Sequence, residues 1–310
     1  MKKYIIKRVV IAVITVLVIL LILYLMLDLM PGSPFNDEKM TAEQQAALYA
    51  KYGLNDPFPV RYLRYVRDML KGDFGISYAI QKNCPISTML KARVPISLRI
   101  GLQAAVFGTF VGLILGIVAA IKRNSPWDTV ATTISVLGVS LPSFVFALLL
   151  SYLFSYKLKV FPLLYSSKEA FKSTILPTIS LSMFTIASIA RYSRSELIEV
   201  LNSEYILLAD SKGITRTRLI CTHAVHNALI GVITVLAPLV VNLMTGSLVV
   251  EKAFSIPGIG SLYIKAIQMN DYNVTLSISF LYSVLFIFTM LLVDILYGII
   301  DPRIRLAKEG

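Results

Sequence analysis

Residues 100–121 read IGLQAAVFGTFVGLILGIVAAI, a run of 22 residues that contains no charged side chain. A helix needs about 20 predominantly apolar residues to cross the hydrocarbon core of a bilayer, which is roughly 30 Å thick. The run therefore predicts a membrane-spanning helix. Five more apolar stretches predict further spans, at residues 9–29, 130–154, 175–190, 229–250 and 274–300.

The composition of the whole chain agrees with this interpretation. Apolar residues make up 56% of the 310 residues, charged residues only 15%, and the mean hydropathy is +0.72. A soluble domain of this length cannot bury so much apolar surface, so lipid must cover part of it. We expect an all-α membrane protein with six transmembrane helices.

Two of the six spans have an alternative. Residues 175–190 form a short stretch that contains Pro177 and several hydroxyl side chains, so it can span only if other helices bury it. Residues 9–29 follow a basic N-terminus and can be a cleavable signal peptide. The run is longer than the roughly 7 to 15 residues of a signal core, and no small-residue cleavage pattern follows it, which favours a retained anchor.

The positions of Lys and Arg predict the orientation. A net charge of +12 can indicate nucleic-acid binding in a soluble protein, but in a membrane protein it reports topology, and no nucleic acid is expected as a partner. With the N-terminus in the cytoplasm, the cytoplasmic segments hold 14 Lys and Arg residues and the two short external loops hold six. Both termini are therefore predicted to be cytoplasmic.

The first loop, residues 30–98, is long enough to carry structure of its own. Thr41 with Gln44 resembles a capping box, and Gly53 can end the helix that it begins. A second helix is predicted after Asp56-Pro57, with its apolar side chains on one face. That pattern suits a helix at the outer membrane interface, or a connector that packs on the next helix.

Neither cysteine nor histidine predicts a metal or cofactor site. Cys84 and Cys221 would lie on opposite sides of the membrane and cannot pair. His223 and His226 lack a carboxylate or thiolate partner. The chain contains no Gly-Lys pair and hence no P-loop, so another subunit must bind any ATP.

The predicted cytoplasmic loop, residues 191–227, contains a short amphipathic helix. Asn202 or Ser203 can cap it, Glu204 lies in its first turn, and Gly213 ends it. Its apolar residues Tyr205, Leu208 and Ala209 recur at helical spacing. Such a ridge can enter a groove of a soluble partner or pack on the base of the bundle. Residues 214–222 predict a second, basic helix.

This loop resembles the one by which permeases of binding-protein-dependent ABC importers engage their ATPases. Residues 205–213 read YILLADSKG, and residues 223–229 read HAVHNAL. The wider family pattern is Glu-Ala-Ala-x-x-x-Gly. Ala209 and Gly213 match it, whereas leucines stand at the positions of its Glu and first Ala. The resemblance implies that ATPase coupling involves Tyr205, Leu208, Ala209, Asp210, Lys212 and Gly213.

Further segments resemble the B-type subunit of oligopeptide and dipeptide permeases. They are YGLNDPFPVRYL at residues 52–63, GDFGIS at 72–77, GSLVVEKAFSIPGIG at 246–260 and VDILYGIIDPR at 293–303. The resemblance implies the type I ABC importer permease architecture. Residues 1–97 would hold the first transmembrane helix and an extracytoplasmic region, residues 98–302 the core permease domain, and residues 303–310 a cytoplasmic tail.

The same resemblance implies the partners and the activity. A homologous permease would complete a heterodimer, two cytoplasmic ABC ATPases would bind ATP and Mg, and an extracytoplasmic binding protein would deliver peptides. The chain itself would be no enzyme and would hold no cofactor. It would lie in the bacterial inner membrane. Related permeases carry nickel or other small solutes, which is the alternative substrate class.

Kinks and hydroxyl groups within spans mark candidates for the translocation path. They are Ser140, Pro142 and Ser143 in the third span, and Asn242, Thr245 and Ser247 in the fifth. Pro257, Gly258 and Gly260 break the backbone after the fifth span. There the chain can re-enter and close the external opening, or form a plain surface turn.

Other residues within the spans have structural interpretations. Gly108, Gly112 and Gly116 repeat at every fourth position and predict a groove for another helix. Asp294 is expected to pair with Arg or with backbone donors, with a proton relay as the alternative. Asp28 can snorkel to water, and no further role is expected of it.

Two other protein classes fit less well. A passive channel or secondary transporter predicts paired intramembrane charges and inverted repeats, and the sequence has one buried acid and no clear repeat. A membrane-embedded enzyme predicts an intramembrane nucleophile, a His–acid pair or a metal constellation, none of which occurs in the sequence.

Overall fold

The computed structural model describes residues 2–29, 41–51, 53, 55–244 and 248–300. Within these ranges the chain is helical, and extended pairing is limited to one bridge between Ile76 and Pro85. In chain order the helices are α1 Lys2–Leu29, α2 Ala42–Lys51, α3 Phe58–Leu70, α4 Ile86–Ile121, α5 Pro126–Ser140, α6 Ser143–Leu150, α7 Ala170–Leu201, α8 Glu204–Ser211, α9 Arg216–Arg218, α10 Val225–Met244, α11 Leu248–Ala253, α12 Ile259–Gln268 and α13 Tyr272–Ile300.

Four described helices are long and apolar enough to cross a membrane, at Arg8–Leu29, Ile86–Ile121, Ser167–Leu201 and Tyr272–Leu291. A bent pair, α5 with α6 and the π-helical turn after it, adds a fifth if it counts as one span. The first, second, fourth and sixth predicted spans fall on the four single helices.

The third predicted span is not one straight helix. α5 and the helix that begins at Ser143 are inclined by 107° to each other. Between them Leu141 is extended, with φ −95° and ψ 128°, because the ring of a following proline disfavours the helical conformation. The expectation of a kink at Pro142 is confirmed, and the span over residues 130–154 stays a prediction, because the bent pair can be one broken span or a re-entrant segment.

The helix that contains the fourth predicted span is longer than the predicted residues 175–190. α7 has 32 residues and continues past Ala190 to Leu201, so the cytoplasmic loop predicted to begin at Arg191 begins at Asn202. The hydroxyl groups do not break the helix because they bond to its own carbonyls. Ser180 Oγ donates to Leu176 O at 2.8 Å, and Ser193 Oγ donates to Ile189 O at 2.7 Å.

The chain forms two compact units, residues 1–96 with 257–287 and residues 97–256 with 288–310. In the first unit, the start of α4 packs against α12 and α13 through a buried apolar cluster. Its members are Ile86, Met89, Leu90, Ile259, Leu262, Ala266, Val274 and Ile278. The domain boundaries given by the sequence stay predictions.

A buried carboxylate also organises the first unit. Asp271 is 0% exposed and accepts four hydrogen bonds. The donors are Ser77 Oγ at 2.5 Å and the backbone N–H groups of Ala79 at 3.0 Å, Ile80 at 3.1 Å and Tyr78 at 3.2 Å. One side chain thus fixes the turn that precedes α4.

The central helix of the second unit is α7, which packs against α5, α6 and α10. The glycines of α4 lie against it. A Cβ atom at Gly112 would lie 2.8 Å from Cβ of Ile189, and one at Gly116 would lie 2.6 Å from the carbonyl oxygen of Ala190. The predicted packing groove of Gly108, Gly112 and Gly116 is therefore confirmed, and its partner is α7.

The two helices predicted for the long first loop are present in the part that the structure describes, while the capping box of Thr41 with Gln44 stays a prediction. Thr41 precedes α2, Gly53 follows it with φ +65°, and α3 begins after Pro57. Asp28, for which no role was expected, forms an ion pair with Arg61 of α3 at 2.8 Å. The side chain of Asp294 lies outside the described ones, so its expected pairing stays a prediction.

Candidate functional site

The predicted cytoplasmic helix is α8, and both of its ends agree with the sequence. Ser203, extended with φ −77° and ψ 152°, stands at the N-cap. Its hydroxyl group donates backward to Val200 O at 2.5 Å, so the side chain does not cap an N–H group of α8. Gly213 follows with φ +76°, the left-handed conformation that favours glycine after a helix.

One face of α8 fastens it to the second unit. Ile206 is 4% exposed and belongs to an apolar cluster with Ala120, Leu197, Leu219, Ala224 and Ala228. Ala209 packs against the same cluster. α8 is therefore fixed to the ends of α4 and α7 and to the segment that leads into α10.

The opposite face of α8 is exposed and apolar. Tyr205 is 45%, Leu207 68% and Leu208 58% exposed. Asp210 and Lys212 are exposed as well. The interpretation in which the helix packs on the bundle is confirmed for Ile206 and Ala209, which join the buried apolar cluster. Tyr205 and Leu208 stay exposed, and their burial in a groove of a soluble partner stays a prediction. Leu207, the most exposed of the three, was not singled out from the sequence.

The segment after Gly213 returns to α8. Asn227 Nδ2 donates to Tyr205 Oη at 3.1 Å and to His223 O at 2.9 Å. The basic helix predicted for residues 214–222 is present from Arg216 onward, where the three-residue α9 continues through a π-helical turn, Leu219–Ala224, into α10. The two halves of the loop that resemble ABC permeases thus meet at Tyr205.

An ion pair that sequence reasoning missed links α7 to α5. Arg194 Nε donates to Asp128 Oδ1 at 2.7 Å, and Arg194 Nη2 donates to Asp128 Oδ2 at 2.8 Å. The backbone N–H of Asn124 also donates to Asp128 Oδ2, at 3.0 Å. The residues lie 66 apart in the chain, so no local pattern reveals the pair.

The candidate path residues are only partly described. Ser140, Pro142 and Ser143 lie at the bend between α5 and α6. Thr245 and Ser247 lie outside the described residues, as does the side chain of Asn242. Their assignment to a translocation path stays a prediction.

The predicted external loop lies between α11 and α12. Gly258, extended with φ −94° and ψ −175°, precedes α12, and Gly258 and Gly260 are buried while Pro257 is exposed. The break predicted after the fifth span is therefore present. Closure of an external opening by these residues stays a prediction.

Among the described residues, no group of three or more His, Cys, Asp and Glu side chains is placed to hold a metal ion. Cys84 and Cys221 are both free thiols. What distinguishes the site is an exposed apolar surface on a short, firmly attached helix, which is suited to contact a protein.

The long apolar helices are those of a membrane protein, and its family gives the class of transport-system permeases. Residues 112–306 match the family described as binding-protein-dependent transport system inner membrane component, and residues 1–101 match the N-terminal region described for the same membrane components. The chain belongs to this family. It is an inner-membrane protein, in agreement with its apolar helices.

Curated relatives match over their full length. The dipeptide transport system permease protein DppB of Lactococcus lactis is 40% identical over 99% of this chain and 100% of its own. DppB of Bacillus subtilis is 40% identical over 100% of both chains. The oligopeptide transport system permease protein OppB of Escherichia coli is 37% identical over 98% of this chain and 100% of its own.

Solved structures share the fold. A chain of an amino acid ABC transporter crystallised with histidines superposes with a TM-score of 0.56 at 15% identity, over 68% of this chain and 94% of its own. A chain of the MetNI methionine ABC transporter superposes with a TM-score of 0.56 at 17% identity, over 69% of this chain and 96% of its own. Chains of two ABC transporters therefore share the fold of about two thirds of this chain.

Proposed function

We propose that the chain is one of two permease subunits of an ABC importer for dipeptides or oligopeptides. A homologous permease completes the path, an extracytoplasmic binding protein delivers the peptide, and two cytoplasmic ATPases hydrolyse ATP. The chain is not an enzyme and needs no cofactor. The names of its full-length relatives support peptides as the substrate class.

One observation carries this proposal: α8 has an exposed apolar face and a buried apolar face. Tyr205, Leu207 and Leu208 are exposed to the solvent on one side, while Ile206 is held in the core on the other. An ATPase groove that covers the exposed face would move α8 and, through Ile206, the helices that hold it. A helix moving as a rigid body transmits such motion between packed elements.

The coupling residues are Tyr205, Leu208, Asp210 and Lys212 on the exposed side, with Leu207 added from the structure. Ala209 and Gly213 position the helix. We assign Ser140, Pro142, Ser143, Asn242, Thr245 and Ser247 to the path, and Pro257, Gly258 and Gly260 to the external opening. Six spans and cytoplasmic termini complete the architecture.

Leu208→Asp tests the coupling surface. In proteoliposomes with the complete transporter, the charge should prevent burial in an apolar groove and lower both peptide-stimulated ATP hydrolysis and peptide uptake at least tenfold. Glu204→Gln, an exposed change in the first turn of the same helix, is the control. Wild-type uptake by the Leu208 variant, or uphill uptake by vesicles holding this chain alone, would refute the proposal.

Thiol labelling tests the orientation. A membrane-impermeant maleimide added outside cells should reach Cys84, whereas Cys221 should react only in inverted vesicles. The reverse pattern would place α8 outside the cell, where no ATPase can reach it. Competition of labelled dipeptide uptake by unlabelled peptide and by chelated nickel separates the two substrate classes.

A further inference from the structure

We propose that the exposed apolar face of α3 is buried among phospholipid acyl chains, in the leaflet that contains the Leu29 end of α1. α3 would then be a helix embedded in the membrane surface and not a part of an aqueous loop. This inference depends on α1 crossing the bilayer. It does not depend on the peptide substrate or on ATPase coupling.

The outer face of α3 carries three exposed apolar side chains and two exposed arginines, Arg64 and Arg67. Val60 is 48%, Leu63 66% and Leu70 78% exposed. On the inner side Met69 is buried, and the side chain of Arg61 is only 17% exposed. Water is a poor environment for the three outer apolar side chains, and hydrocarbon is a favourable one.

Contacts with α1 set the depth of α3. The ring of Tyr24 lies 5.6 Å from the rings of both Phe58 and Tyr65. Tyr24 precedes the end of α1 by five residues, which is about 8 Å along the helix axis at 1.5 Å per residue.

A hydrogen bond reaches deeper still. Tyr62 Oη donates to the backbone carbonyl of Leu17 at 2.8 Å. Leu17 precedes the end of α1 by 12 residues, or about 18 Å, and the apolar part of α1, Arg8–Leu29, is about 33 Å long. Leu17 is therefore near the middle of the span, and α3 lies beside the half of α1 that ends at Leu29.

The half of α1 beside which α3 lies also carries exposed apolar side chains. Ile22 is 51%, Leu25 43% and Met26 59% exposed. Where α1 crosses the bilayer, lipid surrounds these side chains, and the exposed residues of α3 lie at the same depth. The shared depth favours lipid over water as the occupant.

The charged groups of α3 are arranged as hydrocarbon requires, since an unpaired charge in lipid is costly. Arg61 pairs with Asp28, Arg64 with Asp56, and Arg67 with Asp68 at 3.0 Å. Behind α3 is a cavity of about 170 Å³, whose polar lining includes Arg61, Arg64, Asp68, Asp73 and Asn273. The side chains of Arg64 and Arg67 are 44% and 64% exposed on the same outer face as Leu63, and they are long enough to extend to the headgroups.

Photocrosslinking in the assembled transporter tests the proposal. Benzoylphenylalanine is introduced in place of Leu63 or Leu70 by amber suppression, and proteoliposomes are irradiated. Mass spectrometry of this chain should show phospholipid adducts at both positions. The control replaces Lys82, an exposed residue of the loop before α4, where the adduct yield should be at least fivefold lower.

Two results would overturn the proposal. Crosslinks from both positions to another polypeptide would show that a protein covers this face, and lipid yields equal to that at Lys82 would show that water does. The readout requires only co-purification of the complex, so it remains valid if the transporter proves to carry another solute. A variant that does not assemble is replaced by the same label at Val60.

Discussion

Arg194 of α7 binds both carboxylate oxygens of Asp128 of α5, at 2.7 and 2.8 Å, from a side chain that is 32% exposed. The next turn of α7 carries Leu197, which packs in one cluster with Ile206 of α8. The ion pair therefore stands between the candidate coupling helix and the bent pair α5–α6. Motion of α8 that displaces the end of α7 must displace α5 or break this pair.

Arg194→Lys should lower peptide uptake more than it lowers ATP hydrolysis. Lysine keeps the charge but cannot make the two parallel hydrogen bonds of a guanidinium group, so α7 and α5 would be less firmly connected. We expect a loss of about 1.5–3 kcal/mol in stability, the usual value of a hydrogen bond to a charged group. Uptake and hydrolysis are measured in proteoliposomes, with the exposed Arg191→Lys as control. Equal loss of both activities, or none, would contradict the transmission role.

Ile206→Ala should lower the stability of the complex, whereas Leu208→Ala should weaken ATPase binding without lowering the stability. Ile206 is buried, and truncation of a buried isoleucine costs about 2–5 kcal/mol, so the melting temperature of the complex should fall. Leu208 is 58% exposed, so its truncation should leave the melting temperature unchanged and weaken ATPase binding. Thermal unfolding and co-purification of the ATPases measure the two effects. A lower melting temperature for Leu208→Ala alone would reverse our assignment of the faces.

The effect of a substitution at Gly213 should depend on how easily the new residue adopts a positive φ, and not on the size of its side chain. Its φ is +76°, and no atom lies within 4 Å of the position that a Cβ would occupy. The left-handed conformation costs most L-residues roughly 1–2 kcal/mol, and asparagine less. Gly213→Asn should therefore retain more peptide uptake than Gly213→Val. Equal loss in both variants would indicate a contact with the ATPase that leaves no space for a side chain.

The sequence predicts those parts of the fold that depend on neighbouring residues. Apolar length predicts the helices, glycine spacing predicts the groove on α4, and Ser203 with Gly213 predicts both ends of α8. The sequence does not predict which face of α8 is buried, because Ile206 and Leu208 are equally apolar. Only the surrounding cluster decides which of them is buried.

Long-range polar pairs could not be predicted in the same way. Asp271 accepts bonds from residues 77–80, more than 190 positions earlier, and nothing near it in the sequence distinguishes it from a solvated loop residue. The bounds of α7 were missed for a related reason. The hydroxyl side chains and arginines of α7 are typical of a loop in sequence. In the structure the hydroxyl groups bond to backbone carbonyls and Arg194 bonds to Asp128.

Asp271→Ala should open the turn before α4. The substitution removes the acceptor for Ser77 Oγ and for three backbone N–H groups, and each buried donor left unsatisfied costs about 1–3 kcal/mol. Cys84, a partly buried thiol at the end of this turn, reports the change. In a Cys221→Ser background, the maleimide labelling rate of Cys84 should rise at least tenfold.

The control for this variant is Gln268→Ala, an exposed change at the end of α12. Asp271→Asn separates charge from shape, because the amide oxygen can still accept some of the four bonds while its NH₂ group opposes the others. Its labelling rate should lie between those of the wild type and the alanine variant. If Cys84 reacts equally fast in all of them, the turn is held by the apolar cluster around Ile86 and Leu262, and the carboxylate contributes little to its order.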